Sequence, residues 1–145
     1  VFGQDSGGDE NTSYFLHHSG GKTSKLQFHD DENGTKRIMH RSWAWNNNKP
    51  CAAFVSNARD GTHFDLYLAS ARDIARNVQQ GSSQELIPAT SIYNNTKSGY
   101  LRVKDFDENH LLVQHYTSVT DSRLYLCTLD ETDMTKVKEM REIGG

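Results

Sequence analysis

Seven histidines are the residues of this chain most suited to metal or acid–base chemistry. Their spacing does not assemble a site. His17 and His18 are adjacent on an expected strand, so they point to opposite faces and do not share one ion. No His-x-x-x-His or His-Glu-x-x-His spacing occurs, and scattered strand or surface histidines are the reading. The run Asp30-Asp31-Glu32-Asn33-Gly34 has the composition of a calcium loop. The position that an EF-hand fills with a bidentate Glu is Arg41, so a solvated turn is expected instead. Asp60 and Asp65 bracket a hairpin and are assigned to holding that turn rather than to hydrolysis. Cys51 and Cys127 lack the spacing of a metal knuckle and read as buried free thiols. No Gly-x-Ser-x-Gly nucleophile elbow is present. The sequence therefore names no catalytic residue, no metal ligand and no cofactor.

The residues best placed to touch a ligand are four. Trp43 and Trp45 are two apart and share one side of their strand, where packing between neighbouring sheets is the main expectation. Arg41 and Arg102 sit near the starts of two corresponding strands, suited to a carboxylate, a peptide terminus or an ion pair between sheets. All four depend on the elements that carry them.

Those elements repeat. Thr12-Ser13-Tyr14-Phe15-Leu16, Phe64-Asp65-Leu66-Tyr67-Leu68 and Ser122-Arg123-Leu124-Tyr125-Leu126 say nearly the same thing after turns rich in Asp, Gly and Ser. The spacing of Phe15, Tyr67 and Tyr125, roughly 50–60 residues, lies close to the period of four-stranded propeller blades. In the best-defined unit, strands are expected at 41–45, 51–55, 64–69 and 84–87, with weak helical character over 71–78. The segment 51–55 is continuously apolar, as in a strand buried on both faces. Asn46-Asn47-Asn48-Lys49-Pro50 is a turn, and Asp60-Gly61 tips the next hairpin. A second unit repeats the order at 100–106, 111–116, 123–129 and 136–140. The N-terminal segment holds only the back of a unit, with strands at 1–3, 13–17 and 26–28.

The fold expected is all-β: antiparallel four-stranded propeller blades, about two and a half of them, where a closed ring needs roughly four to eight. The division is 1–30 for the back half of a blade, 38–88 for one complete blade and 100–140 for another. The apolar fraction of 34%, against roughly 45–50% in an average chain, suits thin stacked sheets. The net charge of −3 with scattered basic residues argues against nucleic acid. Apolar runs are too short to span a membrane. The composition is that of a soluble chain and fits a cytoplasmic, periplasmic or secreted setting. No signal peptide is read at Val1, and an opening in mid-strand suggests a piece of something longer. Sequons at Asn11, Asn33 and Asn94 fall in expected turns or loops.

The run from Trp45 to Gly61, through Phe54-Val55-Ser56-Asn57-Ala58-Arg59-Asp60-Gly61, with Phe64-Asp65-Leu66-Tyr67 after it, resembles the repeat of TolB-like and prolyl oligopeptidase family propellers. Asp105-Phe106-Asp107-Glu108-Asn109-His110-Leu111-Leu112-Val113 with Tyr116 to Leu126 is similar to a blade of bacterial members of that peptidase family. Asp5 to Asn11 is close to one of its hairpins. The usual Ser-Pro-Asp-Gly turn is replaced by Asn46-Asn47-Asn48 and by Asp107-Glu108-Asn109, which still form turns. The resemblance implies a propeller that accompanies a catalytic α/β-hydrolase domain, gating and binding peptides without cleaving them. The alternative it implies is a TolB-like scaffold for protein–protein contact. Its partners would be that domain, other blades, or a peptide or protein ligand.

Overall fold

The computed structural model describes residues 2–5, 12–18, 22–26, 28, 40–80, 86–96, 99–118 and 120–144. They form three antiparallel sheets and one helix. The first sheet pairs β1 (Phe2–Asp5), β2 (Thr12–His18) and β3 (Lys22–Leu26) in chain order. The second pairs β4 (His40–Trp45), β5 (Cys51–Ser56), β6 (Asp65–Ser70) and β7 (Thr90–Tyr93), again in chain order. The third pairs β8 (Tyr100–Asp107), β9 (His110–Ser118), β10 (Asp121–Leu129) and β11 (Val137–Gly144) in the same way. The helix α1 (Ala71–Gln80) follows β6. It is not long and apolar enough to cross a membrane, nor is any other helix among the described residues.

Each element has a local cause. Asp60 Oδ1 accepts from the Thr62 and His63 amides at 2.8 and 2.7 Å, and Gly61 takes φ 79. That Asx turn needs both residue types, because a φ in this region costs most side chains steric strain. Ser70 Oγ accepts from the Asp73 amide at 3.2 Å and caps α1. Ala71, Ile74 and Val78 lie along one side of the helix, and Ile74 is fully buried against the second sheet. Gly99, with φ 92, brings the chain into β8 so closely that an added Cβ would sit 1.9 Å from the Tyr116 carbonyl oxygen.

The second sheet is the middle layer. Ala53, Val55, Leu66 and Leu68 face the third sheet, where they meet Leu101, Phe106, Leu111, Val113 and Leu129. Phe54, Tyr67 and Ala69 face the other way, toward Leu26, Phe28, Ile74 and Ile87. Phe54 is the centre of that second core. Its ring lies 4.5 Å from Phe28, 5.5 Å from Tyr67 and 5.7 Å from Trp43, nearly parallel to the last two.

Several expected boundaries shift. The fourth strand of the second sheet is Thr90–Tyr93, not 84–87. Gln84 and Glu85 lie outside the described residues, while Leu86 and Ile87 are irregular. Ile87 is apolar because it plugs a core without pairing. The third strand of the first sheet is Lys22–Leu26, so it ends where the expected strand begins. The weak helical signal becomes a helix of 10 residues. The sequons at Asn11 and Asn33 lie outside the described residues, and Asn94 is exposed, accepting a bond from Ser91 Oγ at 2.6 Å.

Candidate functional site

The four residues read from sequence do not converge. Arg41 is the second residue of β4, opposite Val55. Ser42 follows in a β-bulge with φ 57, so Trp43 pairs with Phe54 and the expected alternation is broken between Arg41 and Trp43. Trp43 and Trp45 share a side, edge to face at 5.3 Å. Trp43 is half-buried on Phe54 and packs the first two sheets together, while Trp45 is exposed. Arg102 is exposed on β8. None of the four lines either cavity described below.

What the sequence reading missed is how the second and third sheets are joined. The hydroxyl of Ser42 accepts from the Val103 amide at 2.7 Å and donates to the Val103 carbonyl at 3.2 Å. One side chain thus satisfies both backbone groups of a buried residue on the adjoining sheet. The Asn triplet, expected as turn filler, adds a clasp. Asn46 Nδ2 donates to the Glu108 carbonyl at 2.7 Å, and the Asn47 amide donates to the Phe106 carbonyl at 3.1 Å. Asn48 Nδ2 donates to Asp107. Asn46 Oδ1 meanwhile accepts from the Asn48 and Lys49 amides and fixes the turn.

At the other end of these sheets the β5–β6 hairpin, the segment after β7 and the β9–β10 hairpin meet. Asp65 is fully buried and its charge is matched by Arg59, whose Nε lies 2.8 Å from Oδ2. That carboxylate holds the Arg59 guanidinium still further above its ordinary range. Asp65 Oδ1 also accepts from the Asn95 amide at 2.8 Å, and the Asn95 carbonyl accepts from Arg59 Nη2 at 2.9 Å. Asn95 is thereby fixed against a crevice of about 50 Å³, lined also by Tyr93, His115, Tyr125 and Met140. His115 and Tyr125 are shared with a wider concavity of about 290 Å³, completed by Thr117, Asp121 and Arg123.

The electrostatics of this cleft centre on one cation between two carboxylates. Arg123 Nη1 lies 3.1 Å from Glu142 and its Nε 3.7 Å from Asp121. Asp121 accepts from Thr117 Oγ1 at 2.7 Å. Burial is the main cause of the raised Tyr93 hydroxyl pKa, so the phenol stays protonated and offers a donor. His115, only 5% exposed, lies where both cavities meet. The wall is rich in hydrogen-bonding groups and sets the Arg123 guanidinium between two carboxylates. One cation against two carboxylates does not favour a phosphate. Among the described residues no group of three His, Cys, Asp or Glu is placed to hold a metal. Cys51 and Cys127 are both free, on different sheets, and burial pushes the Cys127 thiol up to about 11. A signal for His115 did exist, since Leu111, Val113 and His115 follow the period of two that marks one face of a strand. Asn95 carried none.

No family model, no curated protein and no solved structure matches this chain. What the fold defines is a class: a mostly β arrangement of antiparallel sheets in chain order, the two four-stranded ones sharing a core and one helix packed on the second sheet.

Proposed function

We propose that this chain is a non-catalytic run of β-propeller blades, resembling the substrate-gating domain of a prolyl oligopeptidase family serine peptidase. The observation that carries this reading is the second sheet. Its strands run in chain order, one face is buried by the third sheet and the other by Leu26, Phe28, Ile87 and the helix α1, and its leading strand β4 is bonded to the leading strand β8 of the next sheet. Radial stacking of blades has these properties. The cleft at Asn95, His115 and Tyr125 is the surface on which a peptide would rest. In this reading the Ser42 hydroxyl and the Asn46–Asn48 clasp keep the joint between two blades shut, so passage is limited by the joint and not by a nucleophile in the chain.

The test is made on the coding sequence and its product. The sequence after Gly145 is read for Gly-x-Ser-x-Gly, and the whole product is assayed on peptides of increasing length. Hydrolysis confined to short peptides, with the length limit relaxed by Ser42→Gly, supports gating. A product lacking both the elbow and peptidase activity overturns it.

A TolB-like scaffold is the second reading. The large apolar side chains left exposed on leading strands, Trp45 at 39% and Tyr100 at 44%, favour it. Capture of a protein partner that Trp45→Ala and Tyr100→Ala release would support it over the peptidase.

A further inference from the structure

The second and third sheets part at one end, and the strand register orders what lines the gap. His115 stands opposite Leu101 on β8 and Val113 opposite Tyr125 on β10. Across from them β7 ends at Tyr93, and the chain after it is held at Asn95, whose amide lies 2.8 Å from the Asp65 carboxylate. The crevice of about 50 Å³ lies between these two sets of residues. Its wall has two parts. Leu101, Val113 and Met140 are apolar, whereas Tyr93, Asn95 and His115 bring polar groups, Asn95 and His115 from positions that are themselves buried. No hydrogen bond from a described residue acts on the Tyr93 hydroxyl, and burial keeps it protonated. Among the described residues no Asp, Glu, Lys or Arg lines the crevice; Asp121 and Arg123 belong to the wider concavity outside it. The buried Asp65 behind Asn95 is already matched by Arg59.

Size and polarity narrow the occupant. One water needs roughly 10–15 Å³ of such space, so about 50 Å³ takes a group of about three or four heavy atoms. A charged tip would lose its water there and meet no opposite charge. A wholly apolar tip would strip water from the polar half of the wall and return no hydrogen bond. A short side chain with one methyl and one hydroxyl satisfies both halves.

We propose that this crevice is a subsite for a short, uncharged, hydroxyl-bearing side chain, threonine being the best match, on a peptide laid along the wider concavity. The Tyr93 hydroxyl donates to the side-chain oxygen, and Leu101, Val113 and Met140 take the methyl. The inference rests on the reading of this cleft as a peptide surface and names the side chain that surface selects.

The test is titration of the whole chain with N-acetylthreonine N-methylamide, followed through amide chemical shifts in nuclear magnetic resonance. N-acetylvaline N-methylamide, the same shape without the hydroxyl, and N-acetyllysine N-methylamide are the comparisons. The expected result is saturable shifts at Tyr93, Asn95 and His115 in the millimolar range. The valine probe should bind about fivefold more weakly, the worth of one neutral hydrogen bond, and the lysine probe more weakly still. Tyr93→Phe should make threonine and valine equal, and Met140→Phe, which narrows the crevice, should weaken both. The absence of a saturable shift overturns the proposal and leaves the crevice to water. Equal binding of threonine and valine by the parent chain also overturns it, as does a preference that survives Tyr93→Phe. If the whole product cleaves only short peptides while these probes do not bind, the subsite fails and gating stands. If the threonine probe binds as expected and the product has neither elbow nor peptidase activity, gating fails and the subsite stands.

Discussion

The second and third sheets occupy the same place in the repeat, yet their strands are buried differently. In β5 every residue after Cys51 is buried, whereas β9 alternates buried and half-buried positions. The sequences differ accordingly. Ala52 and Ala53 are small, because β5 is packed on both sides, by the third sheet on one and by Leu26, Phe28, Ile87 and α1 on the other. Leu111 and Leu112 are large, and only Leu111 reaches a core. A strand's burial pattern therefore counts its covered faces: two for β5, one by the third sheet and one by α1 with Leu26, Phe28 and Ile87, and one for β9.

The sharpest way to break the contrast is at its centre. Phe54→Ala removes the ring shared by Phe28, Trp43 and Tyr67 and is expected to cost about 3–5 kcal/mol in urea unfolding. Next comes an equivalent pair. Leu66→Ala, in the fully buried site, is expected to cost about 2–5 kcal/mol. Leu124→Ala, on the outer face, should cost well under half as much in dilute monomer. Equal losses would show that the outer face is already covered.

A smaller effect tests the joint between the sheets. Ser42→Gly keeps the φ of 57 accessible but strips both bonds to Val103, at an expected cost of about 1–3 kcal/mol. A loss under a few tenths would assign the joint to apolar packing alone.

Titration gives two further readings. Burial raises the Cys127 thiol from 9.0 to about 11, which favours the neutral form when folded. Stability is therefore full below pH 9 and falls as pH rises toward 11, by roughly 1 kcal/mol at pH 10. Cys127→Ala should flatten that limb, whatever its own cavity costs. The smallest effect belongs to Asp60. Its carboxyl is held well below the usual range, first by the His63 amide and then by the His63 ring and the Thr62 amide. Its contribution is present above the ordinary carboxylate pKa and is lost as pH falls below it. Asp60→Asn should remove that contribution at neutral pH and flatten the acid-side slope, so that the two chains converge in stability as pH falls.

Much of this architecture was legible because strands declare themselves locally. The continuous run after Cys51, the Asp-Gly hairpin and the repeated aromatic–Leu strands each carry their cause within a few residues. The last strand of the second sheet did not, because Ile87 looks like a strand residue while Thr90–Tyr93 is short and half polar. The joint was illegible for a different reason. Ser42 and the Asn triplet take their roles from partners on the other sheet, and nothing near them in sequence points there. The cleft was half legible: periodicity places His115 on an inward face, but only the Arg59–Asp65 pair brings Asn95 beside it.

The Ser42 joint also bears on the order of folding events. Each four-stranded sheet is built from sequential neighbours, so its pairing closes short loops and forms early. The Ser42 bonds to Val103 span a separation of 61 residues and require both sheets to be in place. Such a contact belongs to the native side of the barrier. Its removal should quicken unfolding while leaving the refolding rate nearly unchanged, which makes Ser42 a determinant of how long the joined sheets persist.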